Sequence, residues 1–497
     1  MSYDLCVIGG GPAGVAGAIR ATDLGKRVAL VDAGPLGGAG IFDGALSSKA
    51  MWHLSGDFVR ACRVDRGWEG GSGLSLSWPA LQAEVKAACH EAQALIERQL
   101  ASLERAGKLE RFIGRGTFVE KNVVEVAPAS ESARRGTPRD ERANTMVHGP
   151  QRVEAERFLL TVGSKPRVPG MFPVDGERVL TSDHVEHLET LPARLAIIGA
   201  GVVGCEYATV FAHLGKTKVE LFDRQSRILP FEDEDVSAVV ASQFAQMGVD
   251  VHREASIASV KRVGNEVVVS WTDGQKAPHE RRYDAVLVAT GRAPSVGNLG
   301  LELAGVTVDK AGGVVVTNER TSASHVWAAG DVTPDLMLAN LAELEARRAV
   351  EDMYGLTPPP IVHEAQSSMY FLSPEVGTVG LNEEMAKAKG IRYRAGIVSN
   401  AINRRNIAMR STTGFVKLLA TPEGKLLGLR VVGPQAGTCI QGVALLIGQG
   451  GTIEQIEHCV HPHPAVTEGV LEAARLLLGR SIYKPDALPE MVRIVEG

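Results

Sequence analysis

The chain has 497 residues, 44% of them hydrophobic and 22% charged, with a formal net charge of -5. That length suits about three or four domains of ~100–200 residues, and the mildly acidic balance argues against nucleic acid or an anionic membrane as partner. No apolar run approaches the ~18 residues that would span a bilayer, and an apolar strand begins too close to Met1 for a secretory leader, so a cytoplasmic protein is expected.

Taken in chain order, residues 3–33 read YDLCVIGGGPAGVAGAIRATDLGKRVALVDA. An apolar run from Leu5 to Ile8 meets Gly9-x-Gly11-x-x-Gly14, an Ala-rich helical stretch follows, and a second apolar run, Val28 to Val31, ends on Asp32. This is a strand, tight turn, helix, strand unit in which backbone N–H groups at the helix start cradle a pyrophosphate and Asp32 accepts from a ribose. Residues 37–49 read GGAGIFDGALSSK, glycine-rich and without sulfur. Within it Phe42 is placed either in the core or stacked on a flat ring, and Asp43 would disfavour anions there.

Residues 63–77 are a polar Gly/Ser loop, and apolar spacing from about Pro79 to Ala106 predicts a long amphipathic helix. Residues 128–151, rich in arginine, read as a second loop, solvated or docking a partner. The nucleotide signature then recurs in 194–224, with Gly199-x-Gly201-x-x-Gly204 and Asp223 at the end of the next strand. Two such units imply two dinucleotides. An acid at 223 favours NAD(H) over NADP(H) because it pairs with a free 2′-hydroxyl and repels a 2′-phosphate, although Arg224 and Arg227 leave NADP(H) open.

Further segments are TVGSKP (161–166), ATGRAP (289–294), VWAAGDV (326–332), SPEVGTVG (373–380) and HPHPAVTE (461–468). On these and the two fingerprints, the chain resembles the class I pyridine nucleotide-disulfide oxidoreductases over nearly its whole length. That family includes dihydrolipoamide dehydrogenase, glutathione reductase, mercuric reductase and the soluble transhydrogenase. The resemblance implies an α/β fold with two Rossmann-like dinucleotide-binding domains and a C-terminal α/β dimerisation domain. Boundaries are expected at 1–170 for the first part of the FAD-binding domain, 171–283 for the NAD(P)-binding domain, 284–357 for the second FAD part and 358–497 for dimerisation.

It also implies site roles. Gly38, Thr161, Gly163, Gly291 and Asp331 belong to the cofactor site, with Asp331 on the FAD ribityl chain; a helix beginning near Met337 and Leu338 points its partial positive charge at the flavin, and Leu338 and Ala339 count among the cofactor-binding residues. Lys49 and Glu206 match a family pair beside flavin N5, where hydride arrives. His463 and Glu468 match a pair that the neighbouring subunit supplies for proton transfer to thiols, which makes a homodimer the expected state. Yet the two positions where the family carries its redox cysteines hold Gly40 and Ala45. Three roles for the His463–Glu468 pair then stay open: protonating another reduced acceptor, packing at the dimer interface, or persisting as a remnant.

Cys6, Cys62, Cys89, Cys205, Cys439 and Cys459 show neither Cys-x-x-Cys nor Cys-x4-Cys spacing, and no metal-ligand spacing is seen. Cys459 is a lone thiol beside the His461–His463 segment, and His461 reads as structural. The expected activity is transfer of hydride from NAD(P)H to FAD and then directly to a quinone-like, nicotinamide, oxygen or protein acceptor. The other readings are a homologue that binds, senses or serves a larger complex with little turnover, and a disulfide reductase working through Cys459 or an outside thiol.

Overall fold

The computed structural model describes residues 2–67, 69–128 and 150–497. The arginine-rich stretch 128–151 therefore lies, except at its ends, outside the described residues, as does Trp68 of the first polar loop.

β1 (Tyr3–Ile8) leads into α1 (Pro12–Asp23), β2 (Val28–Asp32), the single turn α2 (Gly38–Ile41), α3 (Ala45–Cys62) and α4 (Trp78–Arg105). After α4 come β3 (Leu109–Ile113), β4 (Arg115–Glu120), β5 (Val123–Ala127), β6 (Gln151–Leu160) and β7 (Ser164–Pro166). β3, β2, β1 and β6 pair in parallel in that order, and β6 continues antiparallel into β5 and β4. Leu5, Val7, Leu30 and Leu159 are buried, as continuous apolar runs in a parallel sheet covered on both faces require. The turn after β1 is tight: a Cβ on Gly14 would stand 1.7 Å from the Gly9 carbonyl oxygen, so only glycine lets α1 sit this close to the strand end.

The second unit contains β8 (Val179–Leu180), α5 (Ser182–Val185), β9 (Arg194–Ile198), α6 (Val202–Leu214), β10 (Lys218–Phe222), α7 (Glu234–Gln246) and β11 (Asp250–His252). An antiparallel meander, β12 (Ser256–Val263), β13 (Glu266–Thr272) and β14 (Pro278–Tyr283), precedes β15 (Ala285–Val288). The parallel order is β11-β10-β9-β15-β8. The sequence expectation ended this unit at Tyr283, whereas β15 pairs along β9. A boundary there would cut a wholly buried apolar strand out of its own sheet.

The chain then returns to the first unit. β16 (Arg292–Pro294) pairs with β7, and beyond α8 (Leu301–Ala304), β17 (Val326–Ala328) joins the first sheet beside β6. α9 (Ala339–Met353) packs on α1.

The last part contains β18 (Ser367–Tyr370), β19 (Val376–Gly380), α10 (Glu383–Ala388), β20 (Arg394–Ser399), α11 (Arg404–Ala408), β21 (Phe415–Ala420) and β22 (Leu426–Val432). It closes with α12 (Ala436–Gly448), α13 (Ile453–Glu457), α14 (Glu468–Leu477) and β23 (Val492–Glu496). Its sheet is antiparallel, ordered β18-β19-β22-β21-β20-β23. Three helices follow β22, the middle one a short separate turn that starts at Thr452.

Charge is buried where this part meets the second unit. Lys417 on β21 has a fully buried side chain, with Nζ 3.0 Å from Asp233, 2.6 Å from Asp235 and 2.6 Å from Glu383. Burial works against the ammonium, but the Asp235 and Asp233 charges win and hold its pKa above the ordinary lysine value. Such a group stabilises the fold at neutral pH and loses that contribution as pH rises through its raised value. Lys417→Met, which leaves three carboxylates facing one another, should cost about 3–5 kcal/mol at neutral pH, measured by urea unfolding. The gap to wild type should narrow in strongly alkaline buffer.

Candidate functional site

The start of α1, the α2–α3 segment, the loop after β6, the turn before α9 and strand β18 open on one cavity of about 1210 Å³. This exceeds the ~300–1,000 Å³ of an ordinary small-molecule pocket. Gly9, Gly11, Asp32, Gly38 and Lys49 line one side, and Thr161, Gly163, Asp331, Leu338 and Ala339 another. Gly14 and Gly291 stand behind that lining.

These residues fit a dinucleotide. Gly11 caps α1 without any side-chain hydrogen bond, and no atom lies within 4 Å of where its Cβ would stand. The first N–H groups of the helix are thus left open to an anion. Asp32 closes β2 at the same mouth; burial pushes its carboxyl up to about 6 despite N–H groups from Gly34, Ala33 and Gly10. Asp331 accepts a 2.6 Å hydrogen bond from the Ser164 hydroxyl and lies 4.0 Å from Arg292. Leu338 precedes α9 without a side-chain cap, so that helix start is also free to face a ligand.

The second glycine turn repeats the first. A Cβ on Gly204 would stand 1.9 Å from the Gly199 oxygen, and nothing lies near Gly201. The Asp223 carboxylate accepts from the N–H groups of Ala200 at 2.6 Å and Gln225 at 2.8 Å. Arg227 turns away, donating to the Pro230 and Glu232 carbonyls and to Glu384, while Arg224 is exposed. One turn further along α6, Val202, Val203 and Glu206 reach the large cavity, so the two turns converge on it.

At that convergence Lys49 Nζ lies 2.8 Å from Glu206 Oε2, and Glu206 Oε1 accepts the Phe371 N–H at 3.0 Å. Lys49 also sits 5.1 Å from the Phe371 ring centre, within cation–π range. His463 Nδ1 is 2.8 Å from Glu468 Oε1, and Glu468 Oε2 accepts the Ala465 N–H. Burial opposes the Glu468 carboxylate, but those two hydrogen bonds hold its pKa below the usual glutamate value. Neither His463 nor Glu468 lines the cavity of its own chain. His461 contacts the Ile456 carbonyl at 3.3 Å.

The sulfur-free segment is packed in its own way. Gly40, Asp43, Gly44 and Ala45 line the cavity. Phe42 instead turns toward His90 of α4, ring centres 6.1 Å apart, so it is not the stacking surface that was one of its two expected places. None of the six cysteines lines the cavity. Cys89 lies behind the segment, its thiol 3.4 Å from the Ile41 carbonyl, and burial raises its pKa to about 11. Burial likewise pushes up the thiols of Cys6 and Cys205, whereas Cys459 is exposed.

Sequence reasoning missed one group. Glu186 and His187, just past α5, meet Asp43: the Asp43 N–H donates to Glu186 Oε1 at 2.5 Å, and His187 Nε2 lies 3.3 Å from Asp43 Oδ1. A sequence separation of 143 residues leaves no spacing signal by which to find it.

Two glycine-turn nucleotide units sharing one cavity define a two-dinucleotide oxidoreductase. Residues 3–346 match the pyridine nucleotide-disulphide oxidoreductase family and residues 366–474 its dimerisation domain; the chain belongs to this family, whose members are FAD- and NAD(H)-dependent flavoproteins. Among its relatives are dihydrolipoyl dehydrogenase 3 of Haloarcula marismortui, 30% identical over 97% of this chain and 98% of the relative, and a dihydrolipoyl dehydrogenase of Staphylococcus aureus, 31% identical over 97% of each. The crystal structure of LpdA from Mycobacterium tuberculosis superposes with a TM-score of 0.83 at 28% identity, covering 95% of this chain and 99% of that one. The flavoprotein disulfide reductase RclA of Escherichia coli, at 23% identity and a TM-score of 0.81 over 95% of this chain and all of the other, shares the fold.

A Cβ on Gly40 would stand 2.4 Å from Pro12 Cγ, and a proline ring cannot swing aside. Gly40→Cys should therefore cost about 1–3 kcal/mol, while Ala45→Cys, which adds one atom toward the cavity, should cost less. Denaturant unfolding of the two single variants checks the difference.

Proposed function

We propose that this protein is a homodimeric NADH oxidoreductase that delivers electrons through FAD directly to a non-disulfide acceptor, most simply a quinone-like ring. The carrying observation is the cavity wall: positions 40 and 45 hold glycine and alanine, and no cysteine reaches the cavity. The relatives are named for dihydrolipoyl oxidation; without sulfur at these positions that substrate is not carried over to this chain.

FAD, bound along the Gly9–Gly14 turn, Asp32, Asp331 and the start of α9, would supply the two-electron carrier between nicotinamide and acceptor. The protein's part is placement. The Gly199–Gly204 turn and Asp223 orient NADH, and with Asp223 Oδ2 on the Ala200 N–H of that turn, Oδ1 on the Gln225 N–H and Arg227 committed elsewhere, nothing but exposed Arg224 welcomes a 2′-phosphate. Lys49 and Glu206 fix the meeting point of the two nucleotides, the ammonium favouring negative charge nearby. The His463–Glu468 pair, with His463 exposed, Glu468 half-buried and both off their own chain's cavity, suits service to a second subunit. Val460, 94% exposed three residues before His463, is the kind of apolar surface a dimer covers.

Anaerobic titration with NADH should bleach the flavin with one equivalent and give no long-wavelength thiolate charge-transfer band. Reoxidation by a benzoquinone should be fast, and lipoamide should not be turned over. Appearance of that band, or lipoamide turnover, would refute the reading.

A further inference from the structure

Electrons that leave for a quinone-like acceptor need protons: NADH + H⁺ + quinone gives NAD⁺ + hydroquinone, with hydride from the nicotinamide and one proton from the protein or solvent. Between Gly40 and Ala45 the titratable side chain on the cavity wall is Asp43.

Asp43 lines the cavity, held in the left-handed region at φ 53° by the turn between α2 and α3. Its N–H and its carboxylate both face Glu186, and its Oδ1 faces His187 Nε2 at 3.3 Å. Glu186 is 6% exposed, whereas the His187 side chain is 54% exposed. The turn bearing them is clamped to α4: Gln82 Nε2 donates to the Glu186 and Leu188 carbonyls at 3.1 and 2.7 Å, and Trp78 Nε1 donates to Leu188 at 2.8 Å. The group thus runs from bulk water at His187 through Asp43 to the cavity, with a buried carboxyl behind it.

We propose that Asp43 hands to an acceptor in this cavity the proton it shares with Glu186, that Glu186 is the store of that proton, and that His187 reloads the pair from solvent. The assignment rests on the direct-exit reading above. It gives each subunit its own proton path, besides the one that His463 offers to a partner.

The electrostatics agree in direction. Burial, followed by the hydrogen bond to and charge of Asp43, raises the Glu186 pKa far above an ordinary glutamate, so it holds a proton at neutral pH. Burial opposes the Asp43 carboxylate, but hydrogen bonds from His187 and Glu186 bring its pKa below the ordinary value, so Asp43 rests ionised and acts as the conduit for the proton held on Glu186. The other groups facing the pair are Asp183 and His184 on α5, Lys86 and Cys89 on α4, and Tyr207 on α6. A purely structural role would be met by Gln at 186, which keeps the hydrogen bonds but cannot exchange a proton with Asp43.

The test uses the FAD-loaded protein. Infrared difference spectra of wild type against Glu186→Gln at neutral pH should show a protonated carboxyl band that the variant lacks. NMR of labelled histidine should show the His187 Nε2 resonance moving in Asp43→Asn, since that nitrogen faces Asp43 Oδ1. In stopped flow, the ratio of benzoquinone reoxidation to NADH reduction should fall about 10²-fold in Asp43→Asn and less in His187→Gln, most steeply at alkaline pH. An ionised Glu186, an unmoved His187, or an unchanged ratio in Asp43→Asn would overturn the relay. So would saturable Zn²⁺ binding that is lost in His187→Gln, since the three side chains would then be metal ligands. A wild type inert toward quinone would refute the direct-exit reading itself, whereas an active wild type with indifferent variants would refute only the relay.

Discussion

One carboxylate joins all three parts of this protein. Glu206, on the first turns of α6, receives Lys49 from α3 on one oxygen and the Phe371 N–H, just past β18, on the other. Each partner belongs to a different unit, and the carboxylate is 5% exposed. A buried charge is tolerated only when its lone pairs are occupied, so the position of each unit at this point is set by the needs of the other two. Around it Trp52 packs edge-on against Phe371, ring centres 5.3 Å apart, and donates to the Leu372 carbonyl. The cavity is therefore walled by three units whose spacing one side chain controls.

The same principle works further out. Glu232 accepts from Arg430 Nε at 2.8 Å and from the Tyr370 hydroxyl at 2.8 Å, all three buried, and Lys417 gathers carboxylates from α7 and α10. Tyr370 and Phe371 are neighbours in the chain, so the charge anchored at Glu232 steadies the backbone that serves Glu206. A continuous apolar cluster joins these points: Met51 and Trp78 from the first unit, Phe211 and Phe244 from the second, and Phe415 from the last. Apolar burial holds the parts together without direction, and the few buried charges fix how they are turned.

How much of this the sequence discloses depends on range. The two glycine turns, their flanking strands and the long helix over 78–105 are local, carried by residue spacings of two to four, and they are legible. The approach of Gly9 to Gly14 is forced by residues five apart. Lys49 and Glu206 could be paired only through the family resemblance, since 157 residues separate them. The Asp43–Glu186–His187 group had no such help. Its members fall in segments that carry no recognisable pattern, and only the fold brings α5 over the α2–α3 turn. Misplacing β15 has a related cause: an apolar run of four residues looks the same whichever sheet it joins. Phe42 was ambiguous because aromatic contact with His90 depends on the helix packed behind it.

The charges at the cavity wall also limit the acceptor's nature. Glu206 is balanced by Lys49, Asp43 is faced by His187 and Asp331 by Arg292, so the wall as a whole offers no strong net charge of either sign. In a site partly shielded from water, Coulomb interactions are several-fold stronger than in bulk, and a small anion approaching Asp43 would meet that carboxylate before it met Lys49. A neutral planar molecule meets no such barrier. Gly40 and Gly44 answer to the fold itself, since a Cβ would stand 2.4 Å from Pro12 Cγ at one and 2.1 Å from the Ala39 oxygen at the other, and Ala45 adds only a methyl to the wall. On the proposed reading the wall carries no sulfur at positions 40 and 45, so an acceptor there meets the flavin without a thiol between them.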